Sequence, residues 1–275
     1  MINNILVVIV AYYPDMDLLR RNIDAYQDDV DRILIWDNTP GDSHIKTDFL
    51  NTNKIIVKGE GSNKGISYAL NYAWKYAKKN GFRYLMTMDQ DTLWHNFHNF
   101  KDDTIMKEGA PIGIWAPGHG EKSVDIYEKV DFVITSGMMI PINIVDQLKG
   151  WNEYFKVDGV DNDFCCHASY MNIPIYLVNS CHITQRCGTP EIKSFGRMTF
   201  VVHNYPPNRL YEIYKNHIIT FRKYRNMKRL RKSWMHEWCY YRLFYLLFEK
   251  NTLRKVWAVL RGIIVGYTYK LNEIY

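Results

Sequence analysis

An α/β fold, doubly wound around a mostly parallel central sheet flanked by helices, is what three observations on this 275-residue chain predict. Short apolar runs alternate with stretches of helical periodicity from Ile5 to Asp91, and parallel strands need crossover helices between them. Several of the runs end in polar, ligand-type residues. After about Tyr205 the composition turns basic and aromatic, which predicts a helical C-terminal extension.

Taken in order, Ile5-Leu6-Val7-Val8-Ile9-Val10 is a continuous apolar run of the kind buried on both faces, so it reads as a strand. Met16, Leu19, Ile23 and Tyr26 recur at helical spacing behind it. Ile33 to Trp36 predicts a second strand ending at Asp37, and Ile55-Ile56-Val57 a third, followed by the turn Gly59 to Asn63. Ile66, Ala69, Leu70, Ala73 and Tyr76 mark a helix closed by Asn80-Gly81, a usual C-terminal cap pair. Tyr84 to Met88 is a fourth strand, ending at Asp89-Gln90-Asp91. Beyond it a helix is expected between Trp94 and Lys107, with strands at Ile112 to Trp115 and Val130 to Ile134. Met138 to Pro141 should lead into a short helix near Val145. A helix running through Met171 and a strand at Ile175 to Val178 follow. The expected division is a catalytic domain over residues 1–205 and the basic extension over 206–275.

Composition excludes several classes. At 47% hydrophobic and 15% aromatic residues, the chain has material for a sizeable core. Five cysteines without a CxxC pair do not form a secreted disulfide framework or an evident zinc site, so core cysteines in a reducing cytosol are expected. No basic region precedes the apolar run at Ile5, and the C-terminal apolar stretches, interrupted by Arg242 and Arg261, fall short of the ~20 residues of a spanning helix. The formal charge of +6 is unevenly placed: residues 1–205 carry 20 Lys and Arg against 25 Asp and Glu, and residues 206–275 carry 15 against 4.

In open parallel sheets, ligands bind at the carboxyl ends of the strands. Asp89 and Asp91 sit at such an end, where two carboxylates one residue apart can hold Mg²⁺ or Mn²⁺ through oxygen, with a diphosphate completing the shell. The tripeptide alone is a weak signal, and its position after the fourth strand strengthens it. The acidic segment Asp158-Gly159-Val160-Asp161-Asn162-Asp163 offers a general base. Asp161 is the first choice, with Asp158 and Asp163 as alternatives. Clustered carboxylates raise one another's pKa, which suits a base working near neutrality. The competing reading is an acidic helix N-terminus in which Asp161 or Asp163 only caps.

Six segments in order carry a resemblance: Val8 to Pro14, Trp36-Asp37-Asn38, Asn63-Lys64-Gly65-Ile66, Thr87-Met88-Asp89-Gln90-Asp91, Thr135-Ser136-Gly137, and Asp158 to Asp163. Together the chain resembles the family 2 glycosyltransferases, and the Met-Asp-Gln-Asp and Asp-Gly-Val-Asp forms look most like their bacterial rhamnosyltransferase branch. The likeness covers about residues 5 to 225. It implies the GT-A fold, a nucleotide diphosphate sugar donor and inversion at the anomeric carbon. It further implies that Ala11 and Tyr12 line the nucleotide pocket, that Asp37 contacts the base or ribose, and that Asn63 and Gly65 shape the turn beside it. Asp89 would lie near the ribose or metal, Asp91 would be the main metal ligand, and His182 would complete the metal or diphosphate site. Arg209 or Lys215 would meet the leaving diphosphate. The family often has a Glu-Asp pair where Val160 and Asp161 stand here. By branch, dTDP-rhamnose is the first expected donor and a UDP-sugar the second. The acceptor would be a saccharide or lipid-linked sugar of a bacterial surface polysaccharide.

Eight cations and no acid lie between Glu212 and Glu237, followed by Trp234, Trp238, Tyr241 and Tyr245. A polybasic, aromatic stretch reads as peripheral attachment to an anionic membrane surface at the inner face of the cell membrane. Packing on the catalytic domain or in a homodimer competes with this. No helix-turn-helix or RNP-like pattern supports nucleic-acid binding. Two other functional classes stay open, a sugar-phosphate nucleotidyltransferase and a non-catalytic membrane or nucleic-acid binder. The first should show a glycine-rich phosphate loop early in the chain, where residues 11 to 20 read Ala-Tyr-Tyr-Pro-Asp-Met-Asp-Leu-Leu-Arg.

Overall fold

A computed structural model describes residues 4–42, 45, 53–120, 125–185, 191–196, 198–227 and 246–271. It divides into two compact units, one of Met1–Lys156 with Asp163–Gln185 and the other of Val157–Asn162 with Arg186–Tyr275.

The first unit is built on an eight-stranded sheet. Strand β1 (Ile5–Ala11) lies between two parallel neighbours, β2 (Arg32–Asp37) and β4 (Tyr84–Asp89), and β3 (Ile55–Gly59) extends the parallel half beyond β2. A strand with neighbours on both edges and helices over both faces has no solvent side. That is why Ile5 to Ile9 can be apolar at every position, and all five are fully buried. Helix α1 (Met16–Asp24) starts at Asp15, whose carboxylate accepts from the amides of Asp17 and Leu18, and it buries Leu19 and Ile23. Helix α2 (Ile66–Lys79) buries Ala69, Leu70, Ala73 and Ala77.

Beyond β4 the sheet changes direction. β5 (Thr92–His95), helix α3 (Phe97–Lys101) and a π-turn over Asp102–Met106 occupy the stretch expected to be one helix. The reason is a period-2 burial pattern at Thr92 to His95, which pairs antiparallel with β10 (His182–Gln185) in a small separate sheet. β6 (Ile114–Pro117), β7 (Tyr127–Val130), β8 (Met138–Pro141) and β9 (Ile175–Val178) complete the main sheet in the order β3-β2-β1-β4-β8-β6-β9-β7. The strand expected at Val130 to Ile134 lies earlier: β7 ends at Val130, and the following residues run irregularly with Ile134 exposed. Helix α4 (Ile142–Leu148) follows β8, and α5 (Val160–Tyr170) carries its first turn in the second unit.

The second unit contains the hairpin β11 (Glu191–Phe195) and β12 (Met198–Val202), then α6 (Pro207–Lys223) and α7 (Thr252–Thr268). Its division from the first unit falls before the change of composition near Tyr205. Helices α6 and α7 approach closely at two glycines: a Cβ at Gly262 would lie 2.6 Å from the Tyr211 carbonyl, and one at Gly266 2.7 Å from Ile218 Cβ. Arg222 donates to the carbonyls of Gly266 and Tyr269 and satisfies the end of α7. The basic residues Lys228 to Lys232 and the aromatics Trp234 to Tyr245, expected to form a membrane-facing helix, lie outside the described residues.

Candidate active site

Strand register builds one edge of the first unit. Ala11 pairs with Asp37, Asp37 with Gly59, and Val10 with Asp89, so four parallel strands deliver their carboxyl ends side by side. Tyr12, Asn63 and Asp91 directly follow strand ends or turns at this edge, which gathers the residues expected around a nucleotide.

Asn38 organises the edge. Its amide nitrogen donates to the Ala11 carbonyl at 2.7 Å, and its side-chain oxygen accepts from the Trp36 indole and from the Lys64 amide. Its side-chain NH₂ donates to the Gly65 carbonyl, and Asn63 accepts from the Gly65 amide at 2.9 Å. Asp37, 2% exposed, accepts from the Thr39 amide, and the Thr39 hydroxyl accepts from the Tyr13 amide. The loops after β1, β2 and β3 are therefore cross-tied before any ligand arrives. Gly65 has φ +91° and would place a Cβ 2.7 Å from Lys156 Cα and 2.9 Å from its carbonyl oxygen. Gly65→Ala is expected to destabilise the protein by about 2 kcal/mol or more, measured by urea unfolding, since both the backbone conformation and the space exclude a methyl.

The Asp89-Gln90-Asp91 turn is held from four sides. The Gln90 side chain accepts from the Tyr12 amide at 2.7 Å and donates to the Tyr12 carbonyl at 3.2 Å. Asn22, fully buried in α1, donates to the Asp89 carbonyl at 2.8 Å. The Asp89 amide donates to the Ser136 hydroxyl, which in turn donates to Thr92 at 2.7 Å. Through Ser136, the Thr135-Ser136-Gly137 segment is thus tied to the turn that carries the two carboxylates. Finally, Gln185 donates from Nε2 to the Asp89 carboxylate at 2.5 Å. Asp89 and Asp91 are both half-buried.

His182 is not brought to this turn. In the β10–β5 ladder Gln185 pairs with Thr92, next to Asp91, whereas His182 pairs with His95 at the far end and stacks on its ring at 4.4 Å. Three residues of strand, roughly 10 Å, separate the two positions, and the residue that bonds the Asp89 carboxylate is Gln185. Among the described residues no three His, Cys, Asp or Glu side chains are grouped to hold a metal ion. A Mg²⁺ or Mn²⁺ ion fits the two carboxylates only with its other oxygen ligands coming from a diphosphate and water, as such ions commonly accept. Cys165, Cys166 and Cys181 lie in the core, where burial pushes the Cys181 thiol up to about 12.

One candidate base, Asp158, and one expected phosphate cation, Arg209, meet in the second unit. Arg209 grips Asp158 with a two-pronged contact, Nε to Oδ2 at 2.9 Å and an Nη to Oδ1 at 3.0 Å, while its guanidinium lies 4.4 Å from the Tyr205 ring. Asn216, buried in α6, donates to the carbonyls of Val157 and Asp158, and Gly159 gives its side chain room at φ +79°. Asn162 contacts His217 at 3.1 Å. Helix α6 thus positions the loop that leads into α5. With Asp158 committed to Arg209, and Asp163 only 4% exposed in the first unit, Asp161 is the half-buried carboxylate of the segment. It accepts from the Asn162 amide, and burial, helped by the nearby Asp158 charge, pushes its pKa up to about 6. Lys215 points elsewhere: 6% exposed, it bonds Glu212 at 2.6 Å on the side of α6 that meets α7. Arg209, rather than Lys215, remains near the acidic segment.

No family model matches the chain. Over 243 residues it is 22% identical to the dTDP-rhamnosyl transferase RfbF of Shigella flexneri, covering 80% of this chain and 81% of that protein. Among solved structures it is similar to the mannosyltransferase PcManGT of Pyrobaculum calidifontis in complex with GDP-Man and Mn²⁺. That likeness has a TM-score of 0.56 and 12% identity, over 98% of this chain and 76% of the other. It is also similar to S. aureus TarS 1-349 in complex with UDP, with a TM-score of 0.57 and 12% identity over 95% and 80% of the two chains. The chain therefore has the GT-A glycosyltransferase fold, and in sequence it is rhamnosyltransferase-like.

Proposed function

We propose that this protein is an inverting glycosyltransferase that moves a sugar from a nucleotide diphosphate donor, dTDP-rhamnose first and a UDP-sugar second, onto a saccharide or lipid-linked acceptor of a bacterial surface polysaccharide. The observation that carries the proposal is the single edge on which Ala11, Asp37 and Asp89 end in register, with the Asp89-Gln90-Asp91 turn cross-tied to Tyr12. The mannosyltransferase neighbour was solved with GDP-Man and Mn²⁺ and the TarS neighbour with UDP, which supports a nucleotide-sugar ligand and a divalent ion at this edge.

In this proposal Ala11, Tyr12, Asp37 and the Asn63 to Gly65 turn receive the nucleotide, and Asp91 with Asp89 would hold Mn²⁺ or Mg²⁺. Such an ion offsets the charge that develops on the leaving diphosphate. Gln185 orients the Asp89 carboxylate. Asp161 removes the acceptor hydroxyl proton as that oxygen bonds to the anomeric carbon. The bond from this carbon to the diphosphate oxygen breaks on the opposite face, so the configuration inverts. Arg209 acts by holding Asp158, which keeps the base loop in place.

The test is transfer from dTDP-rhamnose and a series of UDP-sugars to an oligosaccharide acceptor with Mn²⁺, following nucleoside diphosphate release and the product anomer by NMR. Release together with an inverted anomer is expected. A product of retained configuration removes the single-displacement mechanism, and pyrophosphate release from a nucleoside triphosphate and sugar phosphate would point to a nucleotidyltransferase.

A further inference from the structure

Helix α7 carries an exposed apolar face, which no element among the described residues of its own unit is seen to cover. Its buried residues, Lys255, Ala258, Val259, Gly262 and Gly266, include the two glycines that meet α6. Leu253, Trp257, Leu260, Ile264 and Tyr267 recur at alternating spacings of four and three, and they are 86%, 68%, 48%, 61% and 55% exposed. At about 100° per residue these five fall within an arc of roughly 80°, nearly opposite the buried face. Leu271, just past the helix, continues the spacing. Apolar side chains lined up this way on a helix side turned from its packing partner mark a docking surface rather than scattered exposure.

Charge selects the occupant. No acidic residue lies between Lys250 and Leu271. Lys255 is buried against Glu249 at 2.6 Å, whereas Lys250, Arg254, Arg261 and Lys270 are exposed. Two copies pairing along this stripe, in either direction, would set cations against cations with no acid to answer them, which a paired helix avoids. An anionic lipid surface answers all four, and Trp257 and Tyr267 are the aromatic types that settle at lipid headgroups. Among the described residues no helix is long and apolar enough to cross a membrane, so the fitting geometry is a helix lying in the surface plane.

We propose that α7 is a membrane-docking helix that inserts Leu253, Trp257, Leu260, Ile264 and Tyr267 among anionic lipids while the flanking Arg254 and Arg261 bind headgroup phosphates. The stripe includes none of the residues proposed for catalysis, and the proposal stands whether or not the transferase activity does.

The test is co-sedimentation of the full chain with vesicles of phosphatidylcholine alone or mixed with phosphatidylglycerol, at low and high salt. The parent is expected to bind the mixed vesicles at low salt and to bind the neutral ones weakly. Leu260→Glu with Ile264→Glu should weaken binding by about tenfold or more, and Arg254→Gln with Arg261→Gln should reduce both binding and its salt dependence. The Glu pair should leave the melting temperature unchanged, because Leu260 and Ile264 are exposed, and the Gln pair should lower it by no more than the loss of the Arg261 guanidinium 5.1 Å over the Tyr211 ring. Undiminished binding by the Glu pair would overturn the proposal and move the contact to the cations at 228–232, and absent or salt-indifferent binding by the parent would overturn it as well. A lipid-free dimer by light scattering, made monomeric by the Glu pair, would assign the stripe to a second copy instead.

Discussion

Asp161→Asn is expected to keep donor binding and lose turnover by roughly 10²- to 10⁴-fold, the usual effect of removing a positioned general base. The substitution keeps the side chain's size and can still accept from the Asn162 amide, so what it removes is the ability to take a proton. The parent's pH profile should carry the same signature. A base must be ionised to act, and burial has pushed the Asp161 pKa to about 6. Turnover should therefore rise with pH through about 6 and level off above it, and the residual rate of the Asn variant should lack that step. Stability should move the other way. The folded-state pKa lies above the ordinary 3.8, so ionisation costs stability, with the loss developing between the two values and complete above about 6. Discounted for partial exposure, Asp161→Asn should stabilise the protein by about 1 kcal/mol near pH 7.5 and not below pH 4. Calorimetry at the two pH values checks this. Equal turnover in the parent and the variant would remove Asp161 from the base role.

Asp91→Ala is expected to abolish the Mn²⁺-dependent part of nucleoside diphosphate binding and to lower turnover by about 10²-fold or more, since one of two protein carboxylates at the proposed metal is lost. The fold should survive, because Asp91 is half-buried in a turn that Gln90, Asn22, Ser136 and Gln185 hold through its neighbours. Isothermal titration with dTDP or UDP, with and without Mn²⁺, separates the two contributions. Metal-independent affinity should persist in the variant through the Ala11, Asp37 and Asn63 side of the edge. Full retention of the Mn²⁺ effect would place the ion elsewhere.

Much of the parallel half was legible because its code is local. A strand buried on both faces must be apolar throughout, so Ile5 to Val10 and Ile33 to Trp36 announce themselves, and the shared carboxyl edge of the strands follows from where they stop. The reversed half was less legible. Thr92 to His95 and His182 to Gln185 are short, and each becomes a strand by pairing with the other across a long stretch of chain. Their register decides that Gln185 and not His182 reaches Asp89, and no local pattern contains that register. Asn22 did leave a trace, as a polar residue on the apolar side of α1 beside Leu19, Ile23 and Tyr26. Lys215 could have been separated from Arg209 by spacing alone: six residues on a helix turn about 240°, so the two cannot face one ligand. The exposed stripe on α7 was hidden for a different reason. Apolar residues at helical spacing look alike whether they face a core or solvent, and only packing shows that Gly262 and Gly266 take the inner side.

The most direct test of the transferase proposal is the thermal stability of the purified protein with dTDP, UDP and GDP, each with and without Mn²⁺, because a ligand selective for the native state raises the melting temperature by mass action. The expected result is a rise with dTDP or UDP that grows with Mn²⁺ and disappears in Asp91→Ala. The contradicting result is no shift with any of the three nucleotides at concentrations that saturate nucleotide-sugar enzymes, with or without the metal.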